Sequence, residues 1–279
     1  MRIRGKKTAR PGRPFRAKVI GSVVAISAAS LAALPVVASA TTSTPYTSGA
    51  YGYDVSWPNC SATPPTSPTV SFAIVGITDG RPFTTSSCAL SEYSTAKSNL
   101  GVNPSLYFNT GYAGAYARDI LNPCTSAVPS PTSQLYPFGS LKGHQLTQAE
   151  QAWEIGCSEA QYGLNTEPGS ALFWWADVET GNSWSTNVSL NQYTIDGMSY
   201  AMNYMSGFGG GGIYSSPGSW IKLTGSQSWF PNPPAPTWVA GGSCTNDSGW
   251  FATSSAYSKP FLVQNLSFNS GTIDGDTAC

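Results

Sequence analysis

Histidine is almost missing from this sequence: His144 is the only one among 279 residues. A Ser-His-Asp or Cys-His nucleophilic mechanism would have to rest on that single side chain, which reads as a loop residue. The cysteines form no closely spaced pairs, so together with the lone histidine they argue against a zinc-type centre, and no metal is expected. Charge is scarce, at 10% of residues. No glycine-rich phosphate loop follows the first strand candidate, which counts against a doubly wound, nucleotide-binding sheet, the runner-up architecture. The run "GFGGGG" (207–212) precedes a strand and has no basic neighbour, so it reads as a flexible connection. No cofactor is expected.

The first forty residues contain no acid, yet they hold eight of the fourteen Lys and Arg residues. An apolar stretch follows this basic region and ends in Ala38-Ser39-Ala40, the small-residue pattern of a cleaved export signal. Residues 1–40 are therefore read as a signal peptide, with an uncleaved anchor as the alternative, and the protein as secreted. Residues 41–50, "TTSTPYTSGA", read as a polar linker. Beyond residue 40 six basic residues face fourteen acids, a net charge of −8. Such a chain has no electrostatic footprint for nucleic acid and no basic segment for a membrane surface. A monomer is expected.

What remains is long enough to bury one large core. The six cysteines all fall in this exported part, an even number that argues for three disulfides. Of the 15 pairings that six cysteines allow, sequential pairing is favoured: Cys60–Cys88, Cys124–Cys157 and Cys244–Cys279. Each would staple one successive loop region.

Eight strand candidates lie at 51–56, 70–78, 104–110, 170–179, 211–216, 236–241, 260–266 and 272–275. Helix-like stretches at 88–100, 147–163 and 190–207 separate some of them, the second opening on a Thr147/Glu150 capping box. In that helix Ala149, Trp153, Cys157 and Ala160 share one face. Strands that are apolar on both faces and alternate with helices imply parallel pairing. Eight of them in one unit point to an α/β fold, a (β/α) TIM-like barrel over 51–279, single-domain and disulfide-stapled.

On such a barrel the chemistry sits at the carboxyl ends of the strands, and the acids gather there. Asp54 closes the first strand, Asp79 follows the second, Asp177 and Glu179 end the fourth, and Asp274 and Asp276 follow the last. In "WWADVETG" the two acids stand one residue apart, so on a strand both project to one side. Two carboxyls held together away from water do not both ionise easily, and walls supplied by Trp174 and Trp175 would raise one of them further. A protonated acid beside an ionised one is the equipment of glycoside cleavage. Trp57 and Tyr107, near strand ends, are the aromatics best placed to contact a sugar.

The ordered segments "GYDVSWPN", "FAIVGITDGRPFT", "GVNPSLYFN", "WWADVETG", "GGIYSSPGSW", "TWVAG", "LVQN" and "GTIDGD" together resemble the family-25 glycoside hydrolases, secreted lysozymes that cut peptidoglycan. The resemblance spans nearly all of 51–276. It implies that Glu179 is the general acid and that Asp177 holds the substrate's N-acetyl group or steadies the developing positive charge. Asp54 and Asp274 would shape the site and bind substrate, with Asp276 replacing Asp274 if the register differs. The reaction in that family is thought to be assisted by the substrate's own acetamido group. The implied function is cleavage of β-1,4 bonds in an N-acetylated glycan, with cell-wall polysaccharide as partner. Two positions depart from the pattern: Phe108 replaces a histidine and Val263 a tryptophan. The Pro/Ser-rich loop 121–146 is expected to reshape the cleft. The alternative from another class is a barrel that binds wall glycan or a surface partner without cutting it.

Overall fold

The computed structural model describes residues 43–279. The expected signal segment, 1–40, and the first two linker residues lie outside the described residues. Eight strands close into a barrel in chain order: β1 (Tyr51–Val55), β2 (Phe72–Gly76), β3 (Ser105–Asn109), β4 (Trp174–Asp177), β5 (Gly211–Ser215), β6 (Thr237–Ala240), β7 (Leu262–Phe268) and β8 (Ile273–Ala278). Five α-helices are interspersed: α1 (Ala89–Leu100), α2 (Asn122–Thr125), α3 (Gly143–Asn165), α4 (Val188–Tyr204) and α5 (Pro217–Thr224). The barrel and the strand order agree with the sequence reading.

One strand departs from it. β1 to β7 pair in parallel, but β8 runs antiparallel to both β7 and β1. A parallel return needs a crossover of a dozen residues or more, whereas a hairpin needs only a few. Here only residues 269–272 separate β7 from β8, and Asn269, Ser270 and Gly271 all adopt positive φ. Asp274 and Asp276 therefore lie within the last strand rather than beyond it. Asp274 faces Asp54 across the ladder near the open end, and Asp276 lies one step deeper, opposite Gly52.

The strands are apolar on both faces because each face meets a different core. Inward-pointing Phe72, Ile74, Trp175, Trp238 and Leu262 fill the barrel. Outward-pointing Val75, Leu106, Phe108, Trp174, Ile213 and Val239 pack beneath the helices. Trp174 and Trp175 thus point to opposite sides of β4. Trp174 meets Phe208 outside and Trp175 meets Trp238 inside, so they do not together wall one carboxyl. Residues 43–50, expected to finish a polar linker, are anchored by Tyr46. Its ring is buried against Phe72, and its hydroxyl joins Ser105 Oγ at 2.6 Å while accepting from Trp175 Nε1 at 2.9 Å. It plugs the end of the barrel away from the acids.

Helix α3 starts one turn before the expected capping box. The Thr147 hydroxyl donates to the Gly143 carbonyl at 3.3 Å inside the helix instead of capping it. His144 consequently sits exposed in the first turn of α3, not in a loop. The face carrying Ala149, Trp153, Cys157 and Ala160 is buried as expected. The three sequential disulfides are formed. The 121–142 segment is held by Cys124–Cys157, by Leu121 N–H donating to Ser158, and by Phe138 against Tyr193 of α4. It therefore packs on the outer face of the helices rather than across the barrel mouth.

Helices α3 and α4 cross where each presents a glycine. A methyl group built on Gly156 would lie 1.8 Å from the Thr194 carbonyl oxygen, and one on Gly197 would lie 2.0 Å from that of Trp153. Backbone cannot retreat as a flexible side chain can, so the helices would be forced apart. Gly197→Ala is expected to destabilise the protein by about 2–3 kcal/mol through overpacking, read as a lower midpoint in chemical denaturation with an unchanged slope.

Candidate active site

Side-chain alternation sends Asp54, Asn109, Asp177, Tyr214 and Gln264 inward near the carboxyl ends of five strands, where hydrogen bonds join them into two groups. In one, Asn109 Nδ2 donates to Asp177 Oδ2. Asn109 is itself set by Thr78, whose hydroxyl donates to Asn109 Oδ1 at 2.6 Å and accepts from its backbone N–H at 3.0 Å. In the other, the Tyr214 hydroxyl donates to Gln264 Oε1 at 2.9 Å, and Gln264 Nε2 donates to Asp54 Oδ2 at 3.0 Å. The tyrosine hydroxyl thereby fixes the amide so that its N–H meets the carboxylate.

Asp177 and Glu179 share the end of β4, with Asp177 buried and Glu179 half-buried. Burial, and next the charge of Glu179, push the Asp177 carboxyl well above the usual range, opposed by the Asn109 bond. Burial also raises the Glu179 carboxyl. The end of β4 is clamped to the end of β3, for Thr110 donates to the Asp177 carbonyl through its hydroxyl at 2.6 Å and its N–H at 3.1 Å. Trp184 Nε1 donates to the Glu179 carbonyl at 2.8 Å, holding the following loop.

Asp54 and Asp276 form the second acidic pair. Burial pushes Asp54 up to about 7, with the Asp274 charge adding to it and bonds from Gln264 and Asp276 opposing it. Asp276 is fully buried and raised well above the usual range, first by burial and then by Asp54. Trp238 Nε1 donates to Asp276 Oδ1 at 2.8 Å, while Oδ2 has no conventional donor. A proton on either carboxyl would supply that donor and remove the repulsion of two buried charges. Asp274, by contrast, is exposed at the rim. Of the two acids weighed for the last strand, Asp276 is the one that enters the barrel.

Tyr107 lies on the cleft floor, its ring edge against Trp238 at 6.3 Å. Trp57 stands on the rim in a short 3-10 turn, Trp57–Asn59, and is 50% exposed. Both line a cleft of about 540 Å³ that also includes Asp79, Arg81 and Asn109. Tyr214 is committed to Gln264 and tilted over Trp238, with ring centroids 4.3 Å apart.

Thr78, Asn109, Gln264 and Glu159 escaped the sequence reading as site residues. Asn109 was legible in principle, since it lies two residues beyond Tyr107 on the same face of β3. Glu159, buried on α3, accepts from the Gly111 N–H at 3.1 Å, and nothing in a helical pattern signals that contact. Among the described residues the one cluster close enough to share a metal is Cys60, Cys88 and Glu92, and both its thiols are consumed in a disulfide.

The molecule is a closed, mostly parallel barrel with hydrogen-bonded carboxyls gathered at the carboxyl ends of its strands. Its fold is that of the family-25 lysozymes. It is similar to a family GH25 lysozyme from Aspergillus fumigatus, at 14% identity and a TM-score of 0.53, covering 82% of this chain and 93% of that one. A muramidase from Acremonium alcalophilum matches at 15% identity and a TM-score of 0.50, over 82% and 93% of the two chains. Comparison with protein-family models gives no match, and neither does comparison with curated protein sequences.

Every described Asp or Glu with a shifted pKa is shifted upward, and none of the buried ones has a cation as partner. For Asp54 the unfolded chain loses its proton near 3.8, while the folded site keeps it to about 7. Stability is thus fully present below the lower value and declines as pH rises between the two. Melting temperature is expected to fall from pH 4 to pH 8. Asp276→Asn, whose amide donates to Asp54 permanently, is expected to flatten that slope.

Proposed function

We propose that the protein is a secreted glycoside hydrolase that cleaves β-1,4 bonds in an N-acetylated glycan, peptidoglycan foremost. One observation carries this reading: Asp177 and Glu179 lie on the same side of the end of β4, both with raised pKa, on a barrel of lysozyme fold. The two roles divide by accessibility. Glu179 is half-buried, so burial raises its carboxyl above the ordinary value and favours the protonated form, while the carboxyl still reaches the departing glycosidic oxygen. Asp177, buried and fixed by Asn109, orients the acetamido group of the sugar at the point of cleavage or steadies the positive charge that develops there. Asp54 and Asp276 form the floor, and Asp274 with Trp57 and Tyr107 contacts the substrate outside it.

Three disulfides among the described residues support an oxidising, extracellular setting. Among those residues no helix is long and apolar enough to cross a membrane. The acidic balance leaves a neutral or locally recognised polysaccharide as the fitting partner, and the protein acts as a monomer.

Purified protein incubated with Gram-positive peptidoglycan is expected to release new reducing ends, and Glu179→Gln to lower that rate by about 10²–10⁴-fold, the usual worth of a general acid. Sedimentation with the wall without any release from the unaltered protein would replace this reading with that of a glycan-binding barrel.

A further inference from the structure

The cleft beside Asn109 contains a feature that acid catalysis does not use: Arg81. Six basic residues face fourteen acids beyond residue 40, and Arg81 is the cation that lines this cleft. Its nearest carboxylate is Asp79, through one contact of 3.9 Å from Nη2 to Oδ2, and the arginine side chain is 72% exposed. A single long contact at such exposure is worth little and leaves most of the five guanidinium N–H donors free.

The cleft is also built. Trp57 stands on the loop after β1, and Arg81 on the loop after β2. The Cys60–Cys88 disulfide ties the turn that carries Trp57 to the far end of the loop that carries Arg81, at the start of α1. The floor is Tyr107, and Asn109 connects it to Asp177. At about 540 Å³ the space falls within the range of small-ligand sites, room enough for a sugar unit. An acidic site repels an anionic ligand, and a guanidinium fork on its rim reverses that locally by accepting a carboxylate through two parallel bonds.

We infer that the Trp57–Arg81 cleft is a subsite for a sugar unit bearing a carboxylate, which Arg81 grips while Trp57 covers the ring. The inference rests on the proposed glycan-cleaving function and names the class of sugar it selects. Where the carboxylate is converted to an ester, the fork meets a neutral group and the selection is lost.

The test uses peptide-free oligosaccharides of alternating N-acetylglucosamine and N-acetylmuramic acid with free lactyl carboxylates, and their methyl esters. Binding is measured calorimetrically on Glu179→Gln, so that no turnover intervenes. The acid form is expected to bind at least tenfold more tightly than the ester. Adding Arg81→Gln should bring that ratio close to one, and Arg81→Lys, which keeps the charge without the fork, should leave it between. A ratio near one before Arg81 is altered, a ratio that survives Arg81→Gln, or no measurable binding of either form overturns the inference. Reducing-end release by the unaltered protein is scored separately. Selection without release would retain the subsite and sink the hydrolase reading, and release without selection would do the reverse.

Discussion

A barrel has no free edges, and in this molecule that condition is met by a strand running the opposite way. Seven parallel strands leave β1 and β7 unpaired on one side each, and β8 closes the gap by pairing with both. Because a tight turn delivers β8, its early residues lie at the open end and its later ones go inward. That reversal sets Asp276 into the core beneath Asp54. The acidic pair and the Trp238 bond both depend on the direction of that one strand.

The second constraint is a shortage of cations. Buried carboxyls usually find a cation, a set of N–H donors or a proton. Here Asp177 has Asn109, Asp54 has Gln264 and Asp276, and Glu159 has the Gly111 N–H. None of these donors carries charge, so burial dominates and the pKa values rise together. Carboxyls that hold their protons in this way are chemically suited to supplying one. The same economy makes Arg81 conspicuous, since it is placed where no buried acid needs it.

Support for the acids comes from opposite directions. The end of β4 is clamped to β3 through Thr110 and tethered from behind by Trp184. Beneath the acids, interior aromatics and the Tyr46 plug fill the barrel, so the carboxyls rest on a packed floor. Outside, the contact of α3 with α4 at Gly156 and Gly197 brings α3, and Glu159 with it, close against the barrel. The 121–142 segment is fastened to those helices.

The sequence by itself determined the number and order of the strands and the meeting of Asp177 with Glu179, and it favoured the disulfide pairing that the fold forms. Each of these is written in local terms: apolar runs, successive cysteines, and a two-residue repeat along one strand. Only the tertiary structure decided the direction of β8, which separates Asp276 inside from Asp274 outside, because strand direction follows from what the barrel edge requires. The same holds for Trp174 and Trp175, neighbours in sequence whose surroundings diverge once β4 has an inside and an outside. Tyr46, in a stretch as polar as any linker, became part of the core because a barrel end needs a plug. Asn109 and Glu159 acquired their partners from strands and loops distant in the chain, and such contacts exist only after the fold has brought them together.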